Sequence, residues 1–456
     1  MNPRIISISL AIAVLSAFCM SSQAAVEITG SSRKVISTEP DRASGLNELL
    51  TFYGSEPVDA VYMSSGGNTP KWYRYSSLGG GYAEEISGIE YDGTRSTLKG
   101  AEGDMGYIIE DGDSRYYFWL VNYSQHQMTL NGVEVDNESS DCDRTVLKAD
   151  GTADEIHYFG INGRRFTLDR DITVGYYNLN WSDDSGNFIQ EPQTKNVESL
   201  AHQIVIMPPA YCSTTFTVSG DRFLREWGEE LTATSLNYQP IAVNCSTKAT
   251  QQQSDDENSN QIKTGGDGLG GSAPAEISFE AFVTDAVIHT EWQMSRDMQF
   301  SNIDYRLSGQ DLNFTFRDEG TVYVRFVGSN ADGSCETYGE TYTVNIGASE
   351  LKCPNAFSPG ASEGVNDEWK VSYRSIVDFE CWIFDRYGTQ LYHFSDPSGG
   401  WDGKYHGKLV SPGVYYYVIR AKGADGKTYK ESGDINILRF KGRKGTGGGG
   451  GGSSTE

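Results

Sequence analysis

Apolar and polar residues alternate along this chain in short runs, and clusters of Gly, Asp, Asn and Ser separate the runs. Alternation at period two puts successive side chains on opposite faces of a strand, so the pattern predicts half-buried strands. Residues 116–123, 320–326 and 341–346 carry it clearly, as do 59–63 and 71–75, read as two strands joined by a turn. Hairpin turns are predicted at Asp111-Gly112 and Asn162-Gly163, where the glycine tolerates positive φ. Helical periodicity is confined to residues 223–230, enough for a turn or two. The chain reads as all-β, a series of immunoglobulin-like β-sandwich domains.

The pattern is interrupted in places that divide the chain. A first sandwich-like unit is expected over 26–135, a β domain over 137–208, and further strands over 209–247. Residues 248–273 hold Gln251-Gln252-Gln253, Asp255-Asp256-Glu257 and many glycines, with only Ile262 and Leu269 as large apolar residues. Such a stretch buries too little to offset ordering, so a flexible linker or inserted loop is expected there. Strands return over 274–347 and 353–440, and the Gly-rich 441–456 is expected to be a disordered tail.

The first 24 residues do not fit the strand pattern. Arg4 precedes an apolar run over residues 5–20, and Ser22-Gln23-Ala24 has the small-x-small form of a cleavage site. This predicts a signal peptide and export through the inner membrane, to the cell surface or the extracellular space. The bulky Phe18 before Cys19 is wrong for a lipoprotein anchor. Removing 24 of the 456 residues leaves enough chain for two to four domains. The net charge of −25 repels nucleic acid and anionic membrane, so nucleic acid is not an expected partner.

Six cysteines follow the leader, an even number in an exported chain. None forms a C-x-x-C pair, which argues against a zinc or thioredoxin-like site. Proximity along the chain suggests Cys212 with Cys245 and Cys353 with Cys381, leaving Cys142 and Cys335 unpaired. The aromatic run containing Tyr176, Tyr177 and Trp181 lies beside polar loops and is a candidate for stacking on surface glycans, although aromatic clusters more often fill sandwich cores. There is no H-E-x-x-H, no G-x-S-x-G and no recognisable Cys/His signature, and the six histidines are dispersed singly. An enzyme is not expected, and no cofactor or metal is called for; a hydrolase with paired carboxylates remains a minor alternative.

The last segment carries the most specific signal. In order it contains Pro354-Asn355-Ala356-Phe357-Ser358-Pro359, Gly364-Val365-Asn366-Asp367, Ile383-Phe384-Asp385-Arg386-Tyr387-Gly388 and Trp401-Asp402-Gly403. These are followed by Gly413-Val414-Tyr415-Tyr416-Tyr417-Val418 and the closing Leu438-Arg439. Read physically, the two prolines suit an extended edge, the glycines suit reversals, and Trp401 is a core candidate. Residues 353–439 resemble the C-terminal domain of gliding-motility-associated proteins in Bacteroidetes, the type B sorting domain of the type IX secretion system. The resemblance implies a β-sandwich sorting domain whose partner is the type IX machinery, the outer-membrane translocon and its associated proteins. The chain departs from the family at Gly360-Ala361-Ser362-Glu363, where members carry an Asn- and Asp-rich loop, and in its basic, Gly-rich tail. Residues 274–347 more distantly resemble polycystic-kidney-disease-type immunoglobulin-like domains, which usually act as spacers or adhesive units. Together these readings give an exported modular β protein with a structural or adhesive role, binding surface proteins or glycans.

Overall fold

A computed structural model describes residues 26–438, apart from 56, 65–66, 68, 79–80, 201–202, 252–259, 263–267 and 361–365. The expected leader, Arg439 and the tail 441–456 therefore lie outside the described residues. Strands dominate what is described, and the α-helix among these residues is Arg222–Glu226.

The first unit is a sandwich of two sheets. Val26–Thr29, Val58–Met63, Arg95–Ala101 and Glu90–Tyr91 form one sheet. The other has six strands in the order Ile36–Thr38, Glu48–Phe52, Ser114–Asn122, Met105–Asp111, Lys71–Tyr75 and Glu84–Ile86. Val58–Met63 and Lys71–Tyr75, although consecutive, thus belong to opposite sheets. Trp72, Tyr107, Phe118 and Leu120 fill the space between, and the Trp72 indole donates to Ser96 Oγ at 2.8 Å.

The six-stranded sheet is buried on both faces near its centre. Glu48–Phe52 is buried at every position. Leu50, Phe118 and Leu120 point into the first core, while their neighbours Leu49, Trp119 and Val121 point the other way. That second face packs on Ile156, Tyr158, Ile172, Phe216 and Phe223, so one continuous core joins the first unit to the second. The boundary expected near residue 136 separates strands but not cores, because alternation on a sheet covered on both sides turns apolar residues both ways. Hydrogen bonds cross the same junction, from Tyr75 Oη to the Phe159 carbonyl (3.2 Å) and from the Ile161 amide to the Ser44 carbonyl (2.9 Å).

The expected division at 208/209 also needs correction. Thr217–Gly220 pairs antiparallel with Ile172–Ser182, and Leu231–Thr234 pairs with Thr217–Gly220, so residues on both sides of 208 share one sheet. Beneath it Arg170 and Asp221 are both almost completely buried. The guanidinium donates to Asp221 Oδ2 from Nε at 2.8 Å and from Nη2 at 2.6 Å, and also to the Asp154 and His126 carbonyls. Asp221 further accepts from Tyr123 Oη and from the Leu224 amide at the start of the short helix. Every element meeting there is tied to one charged pair, whose partners satisfy the lone pairs and protons that burial would otherwise strand.

The third unit begins at Cys245, just before the stretch expected to be a linker, and its strands run into that stretch. Cys245–Gln251 pairs with Ala275–Val283 along its whole length, and Leu269–Gly271 pairs in parallel with Tyr342–Ile346. Main-chain pairing needs no large side chains, so a polar, Gly-rich composition did not prevent strands there. Trp292, Phe279, Phe316, Phe326 and Val344 form the core, and the Trp292 indole donates to the Gln310 carbonyl at 2.9 Å. Cys335 of this unit is bonded to Cys142 of the second, across a sequence separation of 193.

The fourth unit has a five-stranded sheet in the order Ala356–Phe357, Thr428–Ile437, Gly413–Gly423, Ile376–Phe384 and Gln390–Phe394. It is docked on the third through the buried Ser375, whose hydroxyl donates to the Gly347 carbonyl (2.6 Å) and accepts from the Ala273 amide (3.2 Å). Asn260 adds side-chain bonds to the Val371 and Pro397 carbonyls, both 2.7 Å.

Candidate functional site

Motif residues of the C-terminal unit converge on a core built around two tryptophans, Trp369 and Trp401. Trp401 and Trp369 are fully buried and joined by a reciprocal main-chain bridge of 2.9 and 3.0 Å. The Trp401 indole donates to the Lys404 carbonyl at 3.0 Å, and that of Trp369 donates to the Pro354 carbonyl at 2.7 Å. Phe357 and Tyr415 pack on Trp401 with ring centroids 5.6 and 5.4 Å away; Tyr417 packs on Trp369 at 5.0 Å. Pro359 and Phe357 also close over Gly403, whose φ of 74° selects glycine at that turn.

The remaining motif residues shape the chain around that core. The Asn355 carbonyl accepts from the Asn436 amide at 2.8 Å, which anchors the entry segment to the last strand. At the loop after Pro359, the Ser358 amide donates to the Asn366 carbonyl (2.9 Å) and the Gly360 amide to Asp367 Oδ1 (2.7 Å). Asn366 has a φ of 56°, a conformation Asn tolerates better than most residues. Of the altered loop 360–363, residues 361–363 lie outside the described residues, as do Gly364 and Val365. Asp402 accepts from the Lys404 amide at 3.0 Å and pairs with its ammonium at 2.7 Å, a turn-stabilising role. Gly388 completes the turn led by Asp385, whose carboxyl is held below the usual range by the Thr389 amide. Arg386 lies beside Gly413 at the far end of the sheet, and Phe384 ends the strand Ile376–Phe384.

Along Gly413–Gly423 the alternation sorts side chains by face. Tyr415, Tyr417, Ile419 and Ala421 turn to the core; Val414, Tyr416, Val418 and Arg420 turn outward. The register places Trp382 beside Val418 and Phe384 beside Tyr416. Trp382 stacks on His393 with centroids 5.3 Å apart, and the Arg420 guanidinium lies 5.8 Å over its ring. The outer face of the sheet therefore carries an aromatic and aliphatic strip rimmed by charge. Sequence reading missed Trp369 and this strip. The run Trp369-Lys370-Val371-Ser372-Tyr373 alternates at period two and would have revealed the first.

The cysteines pair differently from the expectation. Cys142–Cys335 is the disulfide, and Cys212, Cys245, Cys353 and Cys381 are free thiols. Cys212 belongs to the second unit beside Tyr177 and Gln190, whereas Cys245 opens the third and faces Thr337, so closeness in sequence did not bring them together. Cys353 and Cys381 share the C-terminal core without bonding, and burial pushes both thiols up. The three aromatics proposed for sugar stacking do not form one platform. Tyr176 packs on Phe216 in the core; Tyr177 is exposed; Trp181 lies against Phe188 and against Phe282 of the third unit, both at 5.4 Å. Among the described residues no group of three or more His, Cys, Asp or Glu side chains is placed to hold a metal ion.

No curated protein shows significant similarity to the chain. Solved structures with a partial likeness include a tetra-tandem repeat from the extending region of a large adhesion protein, 11% identical, covering 86% of this chain and 99% of that one at a TM-score of 0.21. Sidekick-1 immunoglobulin domains 1–5 are 12% identical, with 86% and 79% covered and a TM-score of 0.23. Scores this low leave the domain assignments to the sheet topology and to two family models. Residues 134–235 match the fibronectin type III domain, a span that unites the strands on both sides of residue 208. Residues 351–437 match the CHU_C type IX secretion signal domain, a span that takes in the motif blocks from Pro354 to Val418.

Proposed function

We propose that this chain is an exported, non-enzymatic β protein that the type IX secretion machinery carries to the cell surface or the medium, where its upstream domains act as a structural or adhesive stalk. The observation that carries this reading is the match of residues 351–437 to a type IX secretion signal domain, together with the convergence of its motif residues on one core. The fibronectin type III match and the sandwich units before the signal domain support a modular, binding or spacing role. Catalysis would need convergent titratable groups in a cleft, and neither the motif residues nor the two family matches suggest such a site. Deletion of residues 353–456 is expected to retain the protein in the periplasm, measured by cell fractionation and protease shaving of intact cells. Surface display at the level of the full chain would sink the reading.

A further inference from the structure

We propose that the Cys142–Cys335 bond is a mechanical bypass that carries tension across the second and third units and keeps the chain between the two cysteines off the load path. The argument is one of connectivity. Tension applied from the first unit enters the second along Thr129–Val135 and reaches Cys142 a few residues later. From Cys335 it leaves along Glu336–Tyr338 and Tyr342–Ile346 into the C-terminal unit. Every strand from Thr145–Thr152 to Gly320–Ser329 lies inside the covalent loop, including all of those that pair with Ile172–Ser182 and most of the third core.

The bond is placed where the two units already touch. Cys335 is buried beside Val243 and Val287, and its amide and carbonyl are both held by Asn330, whose side chain also donates to the Ile241 carbonyl in the segment joining the units. Trp181 on Phe282 makes a second contact across the same junction. β-Domains held by hydrogen bonds yield under load at rates set by their unfolding barriers, whereas the S–S bond transmits tension without yielding until it is chemically cleaved. A surface-anchored protein of the kind proposed above is a setting in which such load arises; the bypass itself does not depend on that reading.

Single-molecule force spectroscopy on the full chain, tethered at its two ends, tests the proposal. The oxidised protein is expected to release less contour length on complete unfolding than the Cys142→Ser/Cys335→Ser variant. The separation of 193 residues, at about 3.3–3.6 Å each, makes the shortfall about 640–690 Å. Should the variant fold poorly, the wild type with added dithiothreitol gives the same readout. There one reductant thiolate attacks the bond, the second resolves the mixed disulfide, and two cysteine thiols and the cyclic reductant disulfide result. Equal contour lengths in the oxidised and reduced states would overturn the bypass. A protein that fails to be displayed at the surface yet shows the shortfall would overturn only the export reading.

Discussion

Asp136 ends the strand Thr129–Val135 at the start of the fibronectin-like unit, and its carboxylate accepts from Lys148 Nζ and Gln203 Nε2, both at 2.8 Å. The Lys148 ammonium, followed by Ser139, holds its pKa down to about 2. A native pKa below the unfolded value of about 3.9 means that the carboxylate stabilises the fold above that value and loses its contribution as pH falls towards 2. The urea midpoint of wild type is therefore expected to exceed that of Asp136→Asn at pH 6, with the gap closing between about pH 4 and pH 2. A gap unchanged at pH 2 would count against the pairing. Half-exposed Lys148 makes the effect salt-sensitive as well. At this scale the sequence was informative about buried aromatics such as Trp401, because size and apolarity decide burial, and uninformative about Asp136, whose partners Lys148 and Gln203 are brought to it by strand pairing and chain folding.

At the scale of elements, the short helix Arg222–Glu226 and the turn after Ser114–Asn122 are held against the second sheet by Asp221. Asp221→Ala removes the helix cap and strands the buried Arg170 charge. The expected loss is about 3–5 kcal/mol, read from denaturant unfolding. A loss within about 0.5 kcal/mol, the range of ordinary surface substitutions, would show that water reaches Arg170. The hairpin of Ile172–Ser182 and Asn187–Val197 shows another device. Its outer strand is a sheet edge eleven residues long that carries Pro192, Glu191 and Lys195, which discourage pairing with another chain. Its tip sets Trp181, one of the aromatics considered for glycan stacking, on Phe282 of the third unit, a contact between units.

Over the whole molecule, the shared core makes the first two units energetically one. Leu49, Trp119 and Val121 belong to the first unit's six-stranded sheet yet complete the core of the second, so the second unit loses part of its core when that sheet opens. Hydrogen exchange under mild denaturant is expected to show amides of Ser114–Asn122 and Ile172–Ser182 losing protection together. Separate transitions for the two strands would contradict a common core. The junction of the third and fourth units is built on Ser375 and the Asn260 bonds, with Val377 and Ala424 against the third core. Alternation and turn residues were enough to establish an all-β chain, because strand periodicity and positive-φ glycines are local properties, and the blocks from Pro354 to Gly413 carried the resemblance to a type IX secretion signal domain. Which sheets share a core, which cysteines bond and where the expected linker becomes strand were decided only in three dimensions. Those outcomes depend on contacts between residues such as Cys142 and Cys335, 193 positions apart, and no local pattern encodes which distant partner a side chain will meet.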